Sequence, residues 1–138
     1  VVHLGVLDRG HIVHLDKLGG PTARQVPTSV GSRVPAHRVA LGVAALAGLS
    51  PEDVMAELGQ LPDWQPDATW WAELHNVRRR VAVRQGDYID AMVSVAATVG
   101  HRAAIGIVTP DRLSAQRCQP LLATAAARVA RVLAGAPD

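Results

Sequence analysis

Few residues in this chain have the reactivity to do chemistry. It holds one cysteine, Cys118, and six histidines. Cys118 lies among apolar residues at helical spacing, so it reads as a small buried hydrophobe rather than a nucleophile. There is no Gly-x-Ser-x-Gly elbow and no glycine-rich phosphate loop. With no nucleophile set beside a base, no catalytic residue is expected and the chain does not read as an enzyme. His11 and His14 stand three apart in a strand-prone run, which sends them to opposite faces. His3 and His14 can face each other across a hairpin, but two imidazoles without a carboxylate pattern make a weak ligand set. Neither a metal site nor a cofactor is expected.

What remains points to binding. Arg84-Gln85-Gly86-Asp87-Tyr88-Ile89-Asp90 is polar and leads into the apolar run Met92 to Ala97, interrupted by Ser94. A buried hydroxyl needs a partner, commonly a backbone carbonyl and otherwise a ligand. A second segment, Val34-Pro35-Ala36-His37-Arg38-Val39-Ala40-Leu41-Gly42, enters a helix through Pro-x-His and continues in small residues. A helix start near Arg38 to Leu41 offers unpaired backbone N–H groups and the positive end of a dipole, where a carboxylate or phosphate is favoured.

The elements that must position these residues follow from periodicity and punctuation. Val2 to Leu7 and Ile12 to Leu18 read as strands of a hairpin around Asp8-Arg9-Gly10. Ala23 to Val30 reads as a third extended run, demoted to an edge or bulge by Pro27. A helix is expected from about Arg38 to Ala47, stopped at Gly48. Ser50 caps a second helix that opens with Pro51, and Asp67 or Thr69 starts a third with Trp70, Leu74 and Val77 on one face. Arg78, Arg79 and Arg80 close that helix with the sign its dipole favours. Val81 to Arg84, Met92 to Val99 and Ala103 to Val108 read as three further strands. A last helix runs from about Ser114 to Leu133, with an apolar stripe of Cys118, Leu121, Leu122, Ala125, Ala126, Val129, Val132 and Leu133. Pro120 predicts a kink or a late start there. This order predicts an α+β fold, an antiparallel sheet with helices packed on it.

Composition sets the class. At 138 residues, 49% hydrophobic and 19% charged, residues 1–138 form one globular domain. No apolar run reaches the roughly 20 residues of a membrane span. A single cysteine excludes an internal disulfide and fits a reducing, cytoplasmic compartment. A net charge of +2 is weak for a nucleic-acid surface. The first residue is Val1 and no signal-peptide pattern follows, so the chain is expected to be part of a longer protein.

Read together, these segments resemble the C-terminal effector-binding domain of IclR-type transcriptional regulators over nearly the whole chain. Val2 to Leu18 is similar to the family's opening hairpin, and Ser29 to His37 to its Val-Gly and Pro-x-His approach. Leu49-Ser50-Pro51-Glu52 resembles its acidic second-helix start, and Glu73-Leu74 with Val77 to Arg80 its arginine-rich third-helix end. Asp87-Tyr88, Val95-Ala96-Ala97, Ala103 to Ile107, Pro110 and Arg112-Leu113 complete the order. The resemblance implies a GAF/PAS-like six-stranded antiparallel sheet flanked by helices. It also implies a small-molecule effector, a homodimer or tetramer, and DNA contact only through an N-terminal winged helix-turn-helix that this chain does not contain.

The resemblance further implies effector contacts at Ala40 and Leu41, through backbone amides, and at Arg84, Ser94, Gly106 and Val108. Ser94 replaces a frequent Cys, and Arg84 stands where Asp is common. Gly106 and Val108 stand where hydroxyl residues serve small oxo-acids. Val39 and Val43 also depart from the usual hydroxyl and Lys. These departures suggest a roomier, more apolar pocket with one anionic end, suited to a medium-sized or aromatic carboxylate held by Arg84 and the Ala40–Leu41 amides. The alternative is a dimerisation module with a vestigial pocket, which side chains filling the pocket would favour. Trp71, expected on a more exposed helix face, would then mark an interface.

Overall fold

β1 (Val2–Asp8) and β2 (His11–Leu18) form the expected hairpin. Its turn is two residues long, and both Arg9 and Gly10 take positive φ (50° and 80°), the geometry that matches strand twist. The structure, a computed structural model, describes residues 1–135. β3 (Arg33–Pro35), β4 (Ala82–Gln85), β5 (Val93–Val99) and β6 (Ala103–Thr109) complete a six-stranded antiparallel sheet in the order β3-β2-β1-β6-β5-β4. Four helices flank it, so the α+β expectation holds: α1 (Ala40–Ala47), α2 (Pro51–Leu58), α3 (Ala68–Val77) and α4 (Arg112–Leu133).

Two cores result. α1 lies on one sheet face with all eight of its residues buried, and α2 and α3 pack outside it. α4 covers the other face over Val93, Val95, Ala97 and Val99. α1 can sit flat on the sheet because it is built almost wholly of Ala, Gly, Val and Leu. Such a helix, apolar all round, belongs inside a domain.

Capping follows the sequence. The Ser50 hydroxyl accepts from Asp53 N–H at 3.2 Å, and the Asp67 carboxylate from Trp70 N–H at 2.9 Å. Of the three arginines after α3, Arg78 serves a neighbour. Its Nε donates to Ala47 O at 2.8 Å and its Nη2 to Leu49 O, satisfying carbonyls at the end of α1. Arg78→Met is therefore expected to cost about 1–2 kcal/mol of stability, because charge-assisted bonds exceed neutral ones. Arg79→Met, on an exposed residue, is expected to stay within about 0.5 kcal/mol of wild type. Urea titration of both variants checks this, and equal costs would refute the capping role.

Three expectations need correction. Ala23 to Val30 is not a strand; Pro21–Gln25 forms a one-turn 3₁₀ helix, and the third strand is Arg33–Pro35. Pro27 has no N–H for a ladder, and the Lys17 ammonium holds this stretch by bonding Val26 O at 2.7 Å and Thr28 O at 2.6 Å. The first helix starts at Ala40 rather than Arg38, because Ala36–Arg38 forms a separate 3₁₀ turn ahead of an extended Val39. α4 begins at Arg112, capped by Asp111, and continues through Pro120. Its inward face is Ala115, Leu122 and Ala126, with Val129 packed alongside. Leu121, Val132 and Leu133 point outward at 73%, 58% and 67% exposure, so the buried stripe is narrower than the sequence pattern predicts.

Candidate functional site

Strand register gathers four of the expected site residues on the face beneath α1. Arg84 pairs with Ser94, and Ser94 with Val108, in one row across β4, β5 and β6. The next row runs Ala82, Ala96, Gly106 and His3. Leu41 descends from α1 onto these rows. It meets Ser94, Gly106 and Val108 around a cavity of about 10 Å³, with His3 and Tyr88 closing the remaining sides. That space holds one water at most.

The pocket is therefore smaller than its glycines suggest. Leu41 places its two methyl carbons 2.8 and 3.1 Å from where side chains would begin at Gly5 and Gly106. The missing side chains make room for leucine rather than for a void. Larger hollows, such as one of about 400 Å³ between α3 and β4, are open surface grooves away from Ser94 and the α1 start.

The start of α1 already holds a carboxylate. Ala40 N–H donates to Asp87 Oδ2 at 2.6 Å. Burial pushes the Asp87 carboxyl above its usual range, opposed by the Ala40 bond and the Arg84 charge and reinforced by Glu73. Arg84 is no solvated loop residue. It lies in β4 with its side chain 25% exposed, and its Nη2 donates to Glu73 Oε1 at 3.1 Å. Its Nε is buried without a partner. Ser94 is 6% exposed and lines the cavity. The site thus presents a cation with an unused donor, a serine on the cavity wall, and a helix end occupied by the chain's own acid.

Two histidines flank the cavity on the hairpin side. A bulge between Leu4 and Gly5 brings His14 opposite Gly5, and the His3 and His14 rings meet edge-on with centroids 4.9 Å apart. Burial, the neighbouring His14, Lys17 and the N-terminal ammonium pull the His3 pKa down to about 4. Burial also lowers that of His14, so both rings are neutral near pH 7. The His3 ring bonds Thr28 Oγ1 through Nε2 at 2.8 Å. His14 Nδ1 lies 3.1 Å from Ser32 O. The Ser32 hydroxyl stands at the same distance, 3.1 Å, from this nitrogen. His14 Nε2 hydrogen-bonds the Tyr88 hydroxyl at 3.0 Å. Among the described residues no group of three or more metal-ligating side chains occurs.

Sequence reasoning missed Asp87, Tyr88, His3 and His14 as parts of this site. The alternation that buries His3, Gly5 and Leu7 on one face was the available signal for His3. Nothing local marks Asp87 as the partner of an amide 47 residues away. Trp71 is half-buried in an edge-to-face cluster with Trp64 and Trp70, with centroids 6.4 and 5.1 Å away, rather than standing free.

The family model described as "Bacterial transcriptional regulator IclR C-terminal" matches residues 1–133. No curated protein sequence matches. The fold is similar to that of the Agobacterium tumefaciens repressor BlcR (TM-score 0.75, 20% identity), covering 94% of this chain and 58% of that one. The C-terminal domain of the E. coli transcriptional regulator KdgR superposes with TM-score 0.72 at 19% identity, covering 94% and 84%. An IclR homologue from Microbacterium hydrocarbonoxydans, complexed with 4-hydroxybenzoate, gives TM-score 0.71 at 20% identity, covering 95% and 60%. At such identities the likeness shows the fold. The chain spans under two thirds of the length of BlcR and of the Microbacterium homologue.

Proposed function

The chain belongs to the IclR C-terminal family, and from that premise we propose that it senses a medium-sized or aromatic carboxylate on behalf of a DNA-binding element elsewhere in a longer protein. The observation that carries this reading is the anion site at the start of α1. A carboxylate oxygen stands 2.6 Å from Ala40 N–H, beside the unpaired Arg84 Nε. An acidic effector reaching this place meets a helix N-terminus and a guanidinium at once. Ser94, Gly106, Val108 and Leu41 supply the wall for its apolar body. The Microbacterium homologue's 4-hydroxybenzoate supports an aromatic acid as the ligand class.

Regulation then requires that the effector bind differently to the DNA-competent and DNA-incompetent arrangements of the whole protein. A winged helix-turn-helix preceding Val1 and assembly as a dimer or tetramer complete the proposal.

Thermal unfolding against a panel of aliphatic and aromatic carboxylates tests the sensor reading. A true effector at 100 times its Kd adds roughly 2.7 kcal/mol of stability. Arg84→Ala is expected to lose most of that gain while keeping its own unliganded unfolding temperature within a few degrees. A response equal in Arg84→Ala and wild type removes the arginine from the site. A panel with no effect supports instead a dimerisation module without a ligand.

A further inference from the structure

We propose that two copies of this chain join edge to edge through β4, antiparallel about a two-fold axis at Val83, so that their sheets run on as one. The proposal rests on the assembly named above and gives it a surface. It does not depend on the ligand.

The phase of the ladder leaves this edge open. Gly86 N–H bonds Met92 O at 2.9 Å, and with Gln85 opposite Val93 that bond continues the β4–β5 register. Bonded and non-bonded pairs alternate along an antiparallel ladder, so Ala82 and Arg84 turn their backbone groups toward β5. Val81, Val83 and Gln85 turn theirs outward. The far side of the sheet gives the same phase. Val108 N–H bonds Val1 O at 2.8 Å, which directs the even residues of β6 away from β5 and the even residues of β5 toward β4. β4 has β5 as its one neighbour in the sheet, and among the described residues no other backbone bond takes the outward groups.

A hollow of about 400 Å³ lies between α3 and this edge, so the helix does not cover it. Val83 is 47% exposed. An open apolar edge is a template for a further strand. The opposite edge is guarded: β3 is three residues long and ends in Pro35, which has no N–H to give.

Charge selects the register and the occupant. The new bonds must join outward-facing residues, so a two-fold axis through the strand falls on one of residues 82–85. An axis at Arg84 sets the two guanidinium groups directly opposite each other. An axis at Ala82 sets each Arg84 opposite the other copy's Arg80. Like charges so placed are destabilising. An axis at Gln85 runs the pairing into the turn at Gly86, with φ +82°, and into Asp87, whose carboxylate is held by Ala40 N–H. An axis at Val83 uses every residue of β4. Val83 then meets Val83 and the two exchange backbone bonds, Gln85 meets Val81, and Arg84 meets the small Ala82. The strand is complementary to itself in this one register, which singles out a second copy as the occupant. The pair is closed, because a head-to-tail chain would need the guarded β3 edge. Strands this short bury less than a standard interface, so dissociation in the micromolar range is expected.

Sedimentation velocity of residues 1–138 across micromolar concentrations tests this. Wild type should pass from monomer to dimer. Val83→Lys puts two ammonium groups across the axis and should weaken the dimer roughly tenfold or more. Val83→Glu should do the same, and mixing the two variants should restore the dimer, which a misfolded protein could not do. In a Cys118→Ser background, Val83→Cys should crosslink under oxidised glutathione, because the Cα atoms of a hydrogen-bonded pair stand about 5.5 Å apart. Gln85→Cys should not, because its two copies stand roughly 14 Å apart. A wild-type dimer that Val83→Lys leaves intact overturns the β4 interface, while assembly through another surface survives. Crosslinking of Gln85→Cys but not of Val83→Cys overturns the register. A wild type that stays monomeric throughout overturns both the interface and assembly by this domain, and leaves the sensor reading to its own thermal test.

Discussion

Gly42→Ala is expected to lower the unfolding free energy by about 3 kcal/mol or more, at the upper end of overpacking costs. In an ordinary helix interior the same change adds roughly 0.5–1 kcal/mol of stability. The sign reverses here because of what lies beside α1. A Cβ on Gly42 would stand 2.0 Å from Ala36 O, 2.5 Å from Ala36 Cα and 2.6 Å from Ala36 C. These are backbone atoms of the 3₁₀ turn Ala36–Arg38, and no rotamer change relieves them. Ala36 is itself fully buried, and its N–H is bonded to Gly10 O at 2.9 Å. The turn must move, and Val39 and Ala40 follow it directly in sequence. Effector-dependent stabilisation should therefore fall together with stability. Urea denaturation with and without ligand measures both. A Gly42→Ala protein within about 0.5 kcal/mol of wild type would show that the turn yields freely and that the helix start is not fixed by this contact.

The outcome at Gly42 also shows where sequence reading reaches its limit. Pro35-Ala36-His37 and the small residues after it announce a helix entry. They do not announce that a separate 3₁₀ turn folds back onto Gly42 and postpones the helix to Ala40. Alternation and turn chemistry placed five of the six strands within one or two residues, because period-2 burial and Gly10 are local signals. The exception is Ala23 to Val30, where Pro21 opens a 3₁₀ helix and the Lys17 ammonium takes the Val26 carbonyl that a ladder would need. Arg84, Ser94 and Val108 fall in one cross-strand row and Gly106 in the next, and of these Ser94, Gly106 and Val108 line the small cavity. The plugging of that pocket was not legible. Leu41 entering the space above Gly5 and Gly106, and Asp87 reaching Ala40, are long-range events with no mark in the local pattern.

Acid should destabilise this domain before its carboxylates titrate, and His3 is the main reason. An unfolded histidine takes its proton near pH 6.5, whereas buried His3 takes it only near 4. Between those values the unfolded state binds more protons, so stability rises with pH and is lost as pH falls. The gap, at about 1.36 kcal/mol per pH unit, amounts to roughly 3 kcal/mol by pH 4. The surroundings offer no relief: His14, Lys17 and the N-terminal ammonium are all bases, and each disfavours a charge on the ring. His14, lowered mainly by burial, adds loss in the same direction. Asp87 works against it. Its raised carboxyl gains stability as pH falls through its own range, which offsets part of the loss toward the acid end. His3→Gln keeps a hydrogen-bonding group near Thr28 and removes the titration, so its stability should change by about 3 kcal/mol less than wild type from pH 7 to pH 4. Urea midpoints at pH 7, 6, 5 and 4 give the curve. Parallel curves for the two proteins would assign the acid loss elsewhere. Convergence at low pH, with wild type steeper above it, would place a neutral histidine pair beside the cavity as a condition for the folded site.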